Sequence, residues 1–173
     1  MSKYFDRYRN ESMRLQTHDY GARGSYLVTI STYQMNEYFG EVLPERTGHD
    51  PSMRLTEIGI QAKEYWLEIP KHYSFIELDA FIIMPNHMHG ILTLEVPWKE
   101  LWETNKFGRQ RNNLGVVIGS YKGSVKRYAN KNNLPFQWKN KYHESVIWTP
   151  KDLQNIRNYI IQNPANWVKK HCK

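Results

Sequence analysis

Two histidines one residue apart, His87 and His89, stand inside the run Phe81-Ile82-Ile83-Met84-Pro85-Asn86-His87-Met88-His89-Gly90-Ile91-Leu92-Thr93-Leu94. If a strand includes residues 87 to 94, its period of two sends both imidazoles out of one face, one rung apart, and Met88 out of the other into a core. Paired imidazoles on a rigid strand form half a site for a divalent ion. Much further along, Tyr159 and Asn163 lie four residues apart, neighbours on one face of any helix that holds them. Both border the stripe formed by Ile156 and Ile160. Taken singly, a tyrosine there is ordinary packing with a wet hydroxyl, and an Asn before Pro164 is an ordinary helix terminator.

The elements that must position these residues are readable from pattern. Ser25 to Tyr33 is rich in β-branched and aromatic residues and reads as a first strand. A loop with Gly40, Pro44, Gly48 and Pro51 follows. Arg54 to Glu68 carries Leu55, Ile58, Ala62, Tyr65 and Trp66 at helical spacing, with Pro70 as its stop. Phe75 to Met84 and His87 to Val96 read as two strands broken by Pro85-Asn86, close enough for an antiparallel hairpin. A polar insert spans 97 to 113. From Leu114 the positions Val117, Ile118, Tyr121, Val125 and Tyr128 mark a second helix. Gly115, Gly119 and Gly123 recur down one side of it, a bare strip that suggests a close neighbour, because glycine is costly inside a helix. A short extended piece covers Ser145 to Trp148. The last helix starts with Thr149 as cap, Pro150 in the first turn and Asp152 near the positive helix end, and Asn163-Pro164 is expected to end it. Strand, helix, strand, strand, helix, short strand, helix suggests an α+β layer with helices on an antiparallel sheet.

At 173 residues the chain is most simply one domain, residues 1 to 173, with 1 to 24 as a polar N-terminal arm. Hydrophobic residues make up 40%, which fits neither a disordered nor a membrane-embedded chain. No apolar run approaches the ~18 residues of a bilayer span. The first residues carry charge and no apolar core of a signal peptide, so a cytoplasmic location is expected. The single cysteine, Cys172, excludes an internal disulfide and a cysteine-built zinc site. Net charge is +7 and aromatics make up 14%, a combination that favours polyanions and offers bases a stacking surface. Most of the excess lies between residues 99 and 141. Arg109, Arg111, Lys122, Lys126 and Arg127 lie in this stretch; the run on the second helix is most simply a solvated face, with contact to the phosphates of a nucleic acid as its functional alternative. Trp98, Trp102, Phe107 and Trp138 are candidates for base stacking, with core packing the more ordinary use of each. His18, His49, His72 and His171 sit in polar or terminal contexts and read as surface residues.

A His-hydrophobic-His strand, followed about seventy residues later by a Tyr-bearing helix that reaches Asn-Pro, resembles the HUH single-tyrosine transposases. These are the enzymes of the smallest insertion sequences, together with the REP-associated tyrosine transposases. The resemblance covers nearly the whole chain. It includes Tyr26-Leu27-Val28-Thr29-Ile30, Met84-Pro85-Asn86-His87-Met88-His89-Gly90, Leu114-Gly115-Val116-Val117-Ile118-Gly119-Ser120-Tyr121-Lys122 and Ile156-Arg157-Asn158-Tyr159-Ile160-Ile161-Gln162-Asn163-Pro164. The Met-Pro-Asn-His-x-His-Gly string is the specific part.

The resemblance implies a ferredoxin-like antiparallel sheet with helices packed on one face, of the HUH endonuclease type. It makes His87, His89 and Asn163 the metal ligands and Tyr159 the nucleophile. It implies Mg2+ or Mn2+ as the ion, although imidazoles do not exclude zinc. The implied activity is cleavage and rejoining of single-stranded DNA near imperfect hairpins through a 5′-phosphotyrosine, as in transposition. The family includes both monomers and intertwined homodimers, and the 132 to 150 segment does not choose between them. Many relatives carry a histidine, and often an arginine, where this chain has Ser145 and Trp148. Two other readings stay open: a non-catalytic hairpin DNA-binding protein descended from such enzymes, and a metal hydrolase unrelated to DNA.

Overall fold

The computed structural model describes residues 23–43, 51–95 and 113–171. Most of the N-terminal arm, the insert through residue 112, and with it Arg109, Arg111, Trp98, Trp102 and Phe107, lie outside the described residues, as do His18, His49 and Cys172. In chain order the elements are β1 (Gly24–Ser31), β2 (Gly40–Leu43), β3 (Ser52–Leu55), α1 (Glu57–Leu67), α2 (Ile69–His72), β4 (Ile76–Met84), β5 (His87–Leu94), α3 (Leu114–Lys131), β6 (His143–Ile147) and α4 (Pro150–His171). A one-turn 3-10 helix, Tyr33–Met35, follows β1.

The main sheet has the order β4-β5-β1-β6, and every neighbouring pair is antiparallel. β5 returns from β4 across the Pro85-Asn86 turn and inserts between β4 and β1, which is the split β-α-β arrangement of a ferredoxin-like fold. The α+β expectation holds. One face of the sheet carries Tyr26, Val28, Ile30, Met88 and Leu92, all fully buried in one cluster with Trp66 of α1 and Ile118 and Val125 of α3. Each such large side chain removed from water contributes roughly 1.5–3 kcal/mol. The helices expected on one face are α1 and α3. α4 instead lies against the other face, in contact with β4 and β2.

Gly90 shows how tightly the helix layer seats. A Cβ built there would stand 2.2 Å from Cζ2 of Trp66, so only a glycine lets the indole lie flat on β5. The glycine strip on α3 is different. A Cβ on Gly119 would meet nothing within 4 Å among the described residues, so no neighbour accounts for that glycine.

Three local expectations are corrected. Arg54 and Leu55 belong to β3 rather than to the helix, because they pair with Gly40 and Glu41 in a second, two-stranded sheet. Glu41 and Arg54 form an ion pair directly across it. The Thr56 hydroxyl then caps α1 by accepting from the Gly59 amide at 3.2 Å. Second, α1 ends at Leu67, and Pro70 sits in the first turn of α2, where a missing N–H costs nothing. Third, α4 does not stop at Asn163-Pro164 but runs on to His171. A proline inside a helix costs ~3 kcal/mol. Burial of Ile160, Asn163 and Pro164 against the sheet is the tertiary gain that offsets it. The expected start of α4 is present: the Thr149 hydroxyl accepts from the Asp152 amide at 3.1 Å. No helix of the described residues is long and apolar enough to cross a membrane.

Gly90→Ala should cost about 1–3 kcal/mol through overpacking against Trp66, whereas Gly119→Ala should gain about 0.5–1 kcal/mol from helix propensity alone. Thermal melts of the two variants beside the parent read both signs.

Candidate functional site

The strand period decides where the histidines go. Since Met88 and Gly90 face the helix layer, His87 and His89 must leave the opposite face, and their rings lie 4.8 Å apart between centroids. Both sit among neighbours that fix their orientation. Nδ1 of His87 donates to Oδ1 of Asn86 at 2.7 Å. The Asn86 amide is itself held, donating from Nδ2 to the Met35 carbonyl at 3.1 Å. On the next strand, Thr29 is directly opposite His89, and its hydroxyl lies 2.8 Å from Nδ1 of that ring. Because Asn86 Oδ1 can only accept, His87 carries its proton on Nδ1 and its lone pair on Nε2, while Thr29 places a polar partner behind Nδ1 of His89. This is the arrangement in which a polar partner behind the ring fixes the tautomer of a ligand histidine.

α4 brings the other half. Tyr159 Oη lies 3.3 Å from Nε2 of His89, and the two rings are 5.2 Å apart. Tyr159 is 44% exposed, so its side chain is open to an incoming molecule on one side while it meets the histidine on the other. Asn163 is buried one turn further on, with its carboxamide in hydrogen-bonding reach of His87. The continuation past Pro164 adds Trp167, whose ring stands 6.0 Å from that of His87 and stacks on His171 at 4.0 Å. His171, expected as a lone surface residue, is packed in this way yet remains exposed. All four of His87, His89, Tyr159 and Asn163 therefore meet within one chain.

Burial pushes both imidazoles down to about 4 from the usual 6.5. For His87, the Asn163 carboxamide opposes that shift and the Lys170 charge adds to it. For His89 the second contribution is His87 itself. Both rings are thus neutral near pH 7, as a ligand imidazole must be. Among the described residues no cluster of three or more His, Cys, Asp or Glu gathers. A cation here would take two imidazole nitrogens and the Asn163 carboxamide, a neutral set that leaves room for oxygens of a bound molecule. The donor chemistry fits a divalent ion.

The three candidate phosphate-binding residues that are described are not brought to this place. Lys122, Lys126 and Arg127 stand on α3, which covers the other face of the sheet. Lys122 Nζ donates to the carbonyls of Lys139 and Asn140 at 2.9 and 3.1 Å, and Lys126 Nζ donates to that of Phe136 at 2.5 Å. These lysines tie the segment after α3 back onto the helix. Arg127 is exposed and bonds Ser124, beside a cleft of about 310 Å³ lined also by Tyr65, Tyr128 and Lys131. Trp138 is buried against Phe39, Phe136 and Tyr121 rather than offered to a base. Ser145 and His143 lie side by side on β6, 3.2 Å apart through Oγ and Nε2, and Trp148 is 70% exposed.

Sequence reading missed four contributors: Thr29, Asn86, Trp167 and the pair Asp79–Arg157. Asn86 lay in view within the Met-Pro-Asn-His string. Asp79 comes from a bulge in β4, where Asp79 and Ala80 together oppose the single residue Ile91 of β5. Its carboxylate accepts from Nε of Arg157 at 2.9 and 3.2 Å and from Nη2 at 2.5 Å. The Arg157 guanidinium holds the Asp79 carboxyl below its ordinary range.

The solved structure of a REP-associated tyrosine transposase bound to a REP hairpin superposes on 92% of this chain and 77% of its own, with a TM-score of 0.55 and 19% identity. This chain has that fold. A candidate transposase from Deinococcus radiodurans aligns over 85% of this chain and 95% of its own at a TM-score of 0.46 and 14% identity, a more remote likeness. By sequence, an uncharacterised protein of Haemophilus influenzae is 28% identical over 90% of this chain and 88% of its own length. No family model matches.

The lowered imidazoles carry a pH consequence. Between about 4 and 6.5 the unfolded chain binds more protons than the folded one, so stability rises with pH across that window. Melts in a chelating buffer should show the parent losing stability as pH falls from 6.5 towards 4, and His89→Gln should flatten part of that slope.

Proposed function

We propose that this chain cleaves and rejoins single-stranded DNA through a covalent 5′-phosphotyrosine on Tyr159. The observation that carries the reading is the 3.3 Å approach of Tyr159 Oη to Nε2 of His89, beside a second oriented imidazole and a buried carboxamide. A phenol needs no such company for packing. It does need it as a nucleophile, since free tyrosine ionises only near pH ~10.

In this reading Tyr159 Oη forms a bond to phosphorus and the bond from phosphorus to the 3′ oxygen breaks. The phenol gives up its proton and the departing oxygen takes one, leaving a 3′-hydroxyl. The phosphotyrosine keeps the phosphodiester energy, so a later 3′-hydroxyl can displace the tyrosine and reseal the strand. His87, His89 and Asn163 would hold Mg2+ or Mn2+, which when bound polarises the scissile phosphate and stabilises its developing charge. Thr29 and Asn86 keep the two imidazoles turned towards that phosphate. The half-exposed edge of Tyr159 gives an unpaired strand access. The likeness to the hairpin-bound transposase supports an imperfect DNA hairpin as the recognised element.

Tyr159→Phe should abolish the covalent adduct on an end-labelled hairpin oligonucleotide while leaving hairpin binding intact, and chelation of divalent ions should suppress the adduct in the parent. An adduct formed by the phenylalanine variant would sink the nucleophile assignment. A parent that binds hairpins in manganese but never cuts would favour the non-catalytic reading.

A further inference from the structure

α4 is a long helix with a thin grip on the sheet. Of its 22 residues only Ile160, Asn163 and Pro164 are buried, while Tyr159 is 44% and Ile161 71% exposed. So few buried side chains leave the rotation of the helix about its own axis weakly determined. A rotation of even part of a turn would carry Tyr159 away from His89.

We propose that the Arg157–Asp79 pair is a positioning clip that sets the rotation of α4 and thereby aims Tyr159 at His89, an inference that rests on the strand-cleavage reading. At about 100° per residue, Arg157 falls roughly 60° to one side of Ile160 and Tyr159 roughly 100° to the other. The two residues therefore flank the buried stripe. Arg157 is held on the β4 side and Tyr159 faces His89 on β5, so the helix is pinned from both flanks. The contact is stiff as well as charged. Two guanidinium nitrogens meet both carboxylate oxygens at 2.5 to 3.2 Å, which fixes orientation in a way a single lysine contact would not. Asp79 is anchored in turn, accepting from the Ala80 amide at 2.6 Å. The β4 bulge is what turns this carboxylate to α4, for an unbroken strand would place residue 79 in a different register against β5. Both side chains are partly exposed, 26% for Asp79 and 38% for Arg157, so the pair adds little to global stability and its effect is geometric.

The test compares the parent, Asp79→Asn, and the charge swap Asp79→Arg with Arg157→Asp, all carrying Cys172→Ser. Spin labels at Lys63→Cys on α1 and Ile161→Cys on α4 report the helix placement by pulsed electron spin resonance. Adduct formation on a labelled hairpin oligonucleotide with manganese, under single turnover, is followed in the unlabelled proteins. The expected result is one narrow distance in the parent and a broadened or displaced one in Asp79→Asn. Single-turnover cleavage should slow about tenfold to a hundredfold in that variant, the loss an ångström-scale misplacement produces. Hairpin affinity should not change, and the swap should recover both distance and rate. An unchanged distance in Asp79→Asn overturns the proposal whatever the rate does, and so does an altered distance with an unaltered rate. A parent that forms no adduct sinks the cleavage reading instead, since the distances still decide whether the pair sets α4.

Discussion

β5 has to serve two faces at once. Its even-numbered residues face the helix layer, where Met88 is fully buried and Gly90 makes room for Trp66. Because the side-chain period is two, that packing leaves His87 and His89 no other direction than the opposite face. A slip of one residue would put imidazoles into the core and a methionine into the site. The register with β1 is equally committed, since Thr29 must stand opposite His89 for its hydroxyl to reach Nδ1. Core packing and site geometry are thus one constraint, enforced through the same backbone.

Burying two imidazoles side by side is expensive for their charged forms, and the fold meets this by keeping them neutral and hydrogen-bonded. Asn86 engages Nδ1 of His87 and Thr29 engages Nδ1 of His89, and Nε2 of His89 turns to Tyr159 on α4. The polar groups that would otherwise be stranded acquire partners on the protein side, and a single side of each ring is left for chemistry. Trp167 closes the far edge of His87, while the exposed edge of Tyr159 stays open. The strand side of the site is built from buried, hydrogen-bonded side chains, while on the helix side Tyr159 remains partly exposed.

The legible parts were those ruled by local periodicity. The histidine pair, the β4–β5 hairpin, the apolar stripe of α3 and the capped start of α4 each follow from a repeat of two or about 3.6 residues, or from a single capping residue. The less legible parts involved competition between local and distant partners. Arg54 and Leu55 fit a helical pattern yet pair with β2, because a cross-strand partner outweighs one weakly helical turn. Lys122 and Lys126 look like a solvated basic face, but carbonyls of the segment after α3 claim their ammonium groups. The resemblance to hairpin-processing transposases rested on residue types in order, and the fold agrees with it at a sequence identity of only 19%.

What the sequence determined by itself was the side of the strand from which His87 and His89 emerge and the face of the helix that carries Tyr159 and Asn163. Both are properties of a backbone period and need no knowledge of what lies opposite. Tertiary structure alone decided that the two faces meet, that Thr29 stands behind His89, that α4 continues through Pro164 to bring Trp167 to His87, and that a bulge in β4 offers Asp79 to Arg157. The physical reason is that each of these depends on register between segments far apart in sequence. In α4, the free energy of packing on the sheet also exceeds the local cost of a proline within the helix.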